Sequence, residues 1–218
     1  MVDGPVIGEL PKTLKVPNIA KASTKDLVEA IQNPNRHVRL NAQRLLVEKN
    51  DSKTPDAMKR LLSSWNFRGL EEPQAHALWA LHQMSRLDAK TLTTAMSVDG
   101  KPAVQKAAIR IAAETPAQKR NDVTAGILKR VNDSNPRVRL QAINALANLP
   151  STPEIRQALV EAYPNLDDVW LQSAVVGVAS KAPVEFIEAA ASAKKPADLE
   201  TLVAQLSTQL AGKQDATP

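Results

Sequence analysis

Cysteine is absent from these 218 residues, which excludes disulfides, thiolate metal sites and covalently attached c-type haem within them. Aromatic residues make up 3% and glycines number seven. Both scarcities disfavour β-sandwiches and Gly-rich nucleotide folds and favour helices packed through Ala and Leu. No Gly-rich phosphate loop, Gly-X-Ser-X-Gly elbow or Cys-X-X-Cys-His motif occurs, so the usual markers of an active site are missing. Residues 1–21 lack the apolar core of a signal peptide and no later run approaches a membrane span; a soluble chain is expected.

What the chain has instead is repetition. Residues 33–49, NPNRHVRLNAQRLLVEK, return as residues 133–149, DSNPRVRLQAINALANL. Both place a Pro-containing turn ahead of Val-Arg-Leu-X-Ala and then put aliphatics where a helix of 3.6 residues per turn buries them. With the alanine as anchor, the pattern recurs at Ala42, Ala77, Ala107, Ala142 and Ala174, and four residues on stand Leu46, Leu81, Ile111, Leu146 and Val178. A period of 30 to 35 residues means one helix pair per unit, each burying its face by stacking on its neighbours.

The fifteen prolines must then lie mostly at helix starts and turns. Residues 1–22 read as an extended lead-in, residues 23–211 as the stack and residues 212–218 as a frayed tail. Five hairpins and a C-terminal closing pair are expected, with Trp65 ending the third helix, Trp79 at an edge between repeats and Trp170 in the place held by Val38 and Val138. Net charge is +5 but unevenly divided: residues 1–132 carry 21 basic and 13 acidic side chains, residues 133–218 carry 7 and 10. Such polarity steers acidic partners or nucleic acid toward the first two thirds.

The Val-Arg-Leu-X-Ala hairpins resemble HEAT repeats. The resemblance implies an all-α fold, a right-handed α-α superhelix of the HEAT/armadillo-like solenoid type. It also implies a polar ladder between neighbouring units, assigned to Asn33 with Arg39 and Asp133 with Arg139. A narrower resemblance rests on VPNIAKASTKDLVEAIQNPNRHVRLNAQRLLVEK and AHALWALHQM. It is similar to the HEAT-repeat region of planctomycete-type secreted proteins, where a sorbosone-dehydrogenase-like propeller precedes the repeats and a c-type cytochrome domain follows. That resemblance implies a connecting module in a periplasmic or secreted protein, with partners in the same parent chain and haem only in the neighbouring domain. Without it a cytoplasmic protein is the alternative.

Catalysis needs side chains that converge. His76 and His82 are six residues apart, on different faces of one helix, and His37 lies in another repeat. Glu71-Glu72 and Asp167-Asp168 fall where helix starts favour negative charge, so capping accounts for them. No catalytic, cofactor-binding or metal-ligating residue is assigned. The candidate surface is the concave face lined by the second helices, where Asn41, Arg44, His76, Gln83, Lys106, Gln141, Asn144 and Asn148 form a polar band, joined by Ser173. The expected function is a non-catalytic scaffold binding protein partners. The competing expectation is a nucleic-acid binder gripping phosphates through Arg36, Arg39, Arg44, Lys106 and Arg110.

Overall fold

The computed structural model describes residues 18–63, 71–115 and 121–214. Among them stand twelve α-helices and no strand: α1 Thr24–Ala30, α2 Arg36–Lys49, α3 Thr54–Ser63, α4 Glu71–Gln83, α5 Ala89–Ser97, α6 Pro102–Glu114, α7 Asn121–Lys129, α8 Pro136–Leu146, α9 Pro153–Ala162, α10 Val169–Ala179, α11 Pro183–Ala191 and α12 Glu200–Gln214. Short 3-10 turns cover Tyr163–Asn165 and Pro196–Leu199. Trp65 and most of the lead-in lie outside the described residues.

The helices start and stop where their end residues satisfy unpaired backbone groups. Ser23 and Asp26 form a reciprocal capping box on α1, and Asn35, Asp88, Asn135, Thr152 and Asp168 cap α2, α5, α8, α9 and α10. Pro102, Pro136, Pro153 and Pro183 stand first in their helices, where the missing N–H costs nothing. Asn50 ends α2 in the left-handed conformation at φ 43°, and Gly100 turns α5 into α6 at φ 70°. Thr54, the first residue of α3, is buried, and its hydroxyl has no partner among the described residues.

The odd-numbered helices α1, α3, α5, α7 and α11 pair with the even one that follows, whereas α9 packs mainly on α11. The even helices then pack in a continuous row, α2 on α4 on α6 on α8 on α10 on α12, while α1 meets α3, α5 meets α7 and α9 meets α11. One apolar cluster runs the length of this stack, from Leu27 and Ile31 through Ala42, Leu81, Ile109 and Leu146 to Phe186 and Leu206. The final pair closes it, with Leu202 and Leu206 of α12 turned inward and Thr201, Gln205 and Thr208 outward. The last helix runs on to Gln214, past the end expected at residue 211.

The alanine register is correct in α2, α4 and α8 and one residue off in two helices. Counted from its cap, α6 puts Ala108, fully buried, in the place of Ala42, with Ala107 beside it. In α10 the place falls to Val175, also fully buried, and Ala174 is only half-buried. The same shift corrects Trp170. Leu171 fills the buried position of Val38 and Val138, whereas Trp170 matches His37 and Arg137 and is 74% exposed. One residue turns a helix by about 100°, enough to move a side chain from core to solvent.

Candidate functional site

The row of even-numbered helices carries all the expected band residues but Asn148. Asn41, Arg44, Gln83, Asn144 and Asn148 are exposed; His76, Lys106 and Gln141 are half-buried. Asn148 stands just beyond α8. The structure brings His76 and Gln83 together through a residue the sequence did not single out. Gln43 of α2 accepts a hydrogen bond from His76 Nδ1 at 2.6 Å, and its amide nitrogen donates to Gln83 Oε1 at 3.1 Å. Arg44 is held by Glu48 at 2.6 Å on its own helix. Among the described residues no hydrogen bond links Lys106, Gln141, Asn144 or Asn148 to one another.

The ladder positions show a rule that is local to each hairpin. Arg39 Nη1 donates to the carbonyls of Asn33 and Pro34 at 2.9 and 2.8 Å, and Arg139 Nη1 donates to that of Asp133 at 3.1 Å. Gln172 repeats the reach six residues back, to Leu166 O at 2.7 Å, so a glutamine serves where arginine is absent. Gln74 likewise reaches back to Leu61 O. Asn33 Oδ1 accepts from Asn35 N–H, and the Asp133 carboxylate takes Asn135 N–H and the Arg130 guanidinium at 2.8 Å. Between units, Arg139 Nη2 comes within 3.9 Å of Asp167, a carboxylate at the next turn.

Other groups link neighbouring repeats. Helix α6 has no side-chain cap of its own; Glu71, at the start of α4, accepts the Ala103 N–H at 2.6 Å, and Lys101 donates to Gln74 at 2.7 Å. Lys181 donates to Ala147 O just past α8. Trp79 packs edge-on to His82 at 5.8 Å, the Arg110 guanidinium lies 5.7 Å from the Trp79 ring centre, and Glu114 comes within 3.4 Å of Arg110 and 3.8 Å of His82. The carboxylate pairs are accounted for in part: Glu71 caps α6 and Asp168 caps α10, accepting Trp170 N–H at 2.7 Å. Among the described residues no three His, Asp or Glu side chains stand where they could hold a metal ion.

Arg39 differs electrically from its twin. It is 8% exposed, yet among the described residues no carboxylate lies within 4.0 Å of it, whereas Arg139 has Asp167 at 3.9 Å; the Nε of both arginines is buried without a partner. Burial, and then the charges of Arg39 and Arg36, push the pKa of His76 below its ordinary value, against an opposing pull from Glu72. Of the five cations considered for phosphate, Arg44 and Arg110 are occupied by glutamates and Arg39 is largely buried. A groove of about 810 Å³ opens elsewhere, between α9 and α11, and its rim mixes Glu161, Glu185 and Glu188 with Lys194 and Lys195.

Residues 89–179 match the family model for HEAT repeats. The match begins at the first residue of α5 and ends at the last of α10, so it covers three successive hairpins. The hairpins on either side continue the same packing row, α2 on α4 on α6 before it and α12 on α10 after it, consistent with an α-solenoid. HEAT arrays commonly serve as protein-interaction scaffolds. No curated protein matches the chain. Among the described residues no helix is long and apolar enough to cross a membrane.

Proposed function

We propose that this chain is a non-catalytic HEAT scaffold that docks protein domains along its row of even-numbered helices. Exposed polar side chains stand on one helix of this row after another, Asn41 and Arg44 on α2, Gln83 on α4, Arg110 on α6 and Asn144 on α8, and that observation carries the reading. A surface built this way offers many weak, directional contacts to a long partner, whereas acid–base or metal chemistry needs groups gathered at one point. The finer reading rests on the sequence resemblance: the module joins a sorbosone-dehydrogenase-like propeller to a c-type cytochrome domain in a periplasmic or secreted protein. Its partners are then neighbours in one parent chain, haem belongs to the cytochrome domain, and the stack sets the separation between them.

Two experiments test this. The reading frame on either side of the segment should encode a propeller upstream and a haem-attachment motif downstream; stop codons at both ends overturn the connecting role. Gln83→Glu, Asn144→Glu and Asn148→Glu, combined in one variant, change exposed positions and should leave the helical circular dichroism intact. Capture of the purified flanking domains in a pull-down should be lost. Undiminished capture would remove the even-helix face from consideration.

A further inference from the structure

Along α2, Arg36, Arg39, Leu40 and Gln43 share one stripe, at the three- and four-residue spacing that aligns side chains on a helix. Gln43 touches His76 and Gln83 of α4, so this stripe runs beside α4. Arg36 is exposed and forms no ion pair among the described residues, and Leu40 is 42% exposed where its counterpart in α8, Leu140, is half-buried. Arg39 is more than nine-tenths buried with its Nε unpartnered, and the carboxylate that stands 3.9 Å from its twin Arg139 has no equivalent here. Glu71, the nearest candidate by position, is turned to the start of α6. Glu72, one turn before His76 on α4, opposes the effect of Arg39 and Arg36 on that histidine. A guanidinium removed from water and left without a counter-ion is costly unless an anion completes it.

We propose that the surface where α2 meets α4 docks an acidic, extended segment of a protein partner, one carboxylate of which pairs with Arg39 and Arg36. This rests on the scaffold reading and specifies its partner. Planar guanidinium groups suit a carboxylate, exposed Leu40 offers an apolar contact beside it, and the Gln83 amide nitrogen is left to donate to a peptide carbonyl. The basic excess of residues 1–132, 21 cationic against 13 anionic side chains, draws such a segment to this end of the stack.

The rest of the molecule supplies the test variant. Glutamine stands at the Arg39 position in α4, α6 and α10, and in α10 it keeps the turn hydrogen bond, so Arg39→Gln should retain the fold while removing the charge. Arg36→Gln changes an exposed residue and serves if the first variant melts early. The probe is a fluorescein-labelled peptide of alternating Glu and Ala, with a Gln-Ala counterpart, titrated with the whole chain and read by fluorescence anisotropy. The acidic peptide should bind at least about tenfold more tightly than the Gln version, and each substitution should weaken it by about tenfold. Equal binding of the two peptides, or binding unaffected by both substitutions, overturns the proposal. So does displacement of the peptide by duplex DNA at lower concentration, which marks a phosphate surface, or a dimer of the free chain that Arg39→Gln dissolves, which marks a second copy as the occupant. Capture of flanking domains that survives both substitutions sinks this inference alone; failure to capture any domain sinks the scaffold reading.

Discussion

Two glycines inside helices make opposite predictions about the same substitution. Gly177 sits in α10, exposed, and a Cβ built there meets nothing within 4 Å. Alanine is favoured over glycine in a helix interior by about 1 kcal/mol, so Gly177→Ala should raise stability by about that amount. For a chain of this size the midpoint should rise by about 2–4 °C. Gly126 in α7 has the same propensity to gain, but its Cβ would stand 2.6 Å from the Met96 methyl and 3.4 Å from its sulfur. Met96 on α5 is fully buried, so its flexible end has little room to retreat. Overpacking of this kind costs about 1–3 kcal/mol, which offsets or exceeds the helix gain. Gly126→Ala should therefore leave stability unchanged or lower it by up to about 2 kcal/mol. Met96→Val, which removes the atoms in the way, should restore the gain. Urea denaturation of the two single variants and the double variant gives the coupling directly. A Gly126→Ala protein as stabilised as Gly177→Ala, with Met96 in place, would refute the packing of α5 on α7.

Three further substitutions probe other joints. Glu71→Ala removes the carboxylate that receives Ala103 N–H and should cost about 1 kcal/mol, with amide exchange rising at the start of α6; unchanged protection there contradicts the cross-repeat cap. Ser23→Ala dismantles the capping box on α1 and should cost about 0.5–2 kcal/mol, with an earlier urea midpoint. His76 titrates below 6.5 in the folded chain, so the unfolded chain takes up that proton first as pH falls; stability is full above about pH 6.5 and declines as pH drops toward the folded value. His76→Gln should flatten the thermal midpoint between about pH 7.5 and 5.5, and an equally steep decline would show that the proton is taken up elsewhere.

The hairpins were legible because apolar spacing coincides with a start signal, either proline at the first helical position or a capping Asn, Asp, Ser or Thr just before the helix. Asn35 and Asn135 cap their helices where the internal repeat placed them, and Pro102, Pro136, Pro153 and Pro183 open theirs. Register was harder. Alanine is small enough to be buried at two successive positions, as Ala107 and Ala108 are, so it anchors an alignment poorly. Counting from the caps finds Gln172 opposite Arg139 and sends Trp170 into solvent. The polar surface was readable as a set of residues but not as bonds. Gln43 and Glu71 act on the next repeat, and their reach depends on how two helices cross, which no spacing within one helix encodes.

The start of α6 is finished by a side chain from the preceding hairpin, and that has a bearing on where the molecule can be cut. The HEAT-matching stretch opens at Ala89, eighteen residues after Glu71 by the numbering. A fragment trimmed to those limits would bring α6 to its outer edge, stripped of α4 and with the Ala103 amide left to water. Severing one hairpin earlier, ahead of α3, keeps donor and acceptor on the same polypeptide.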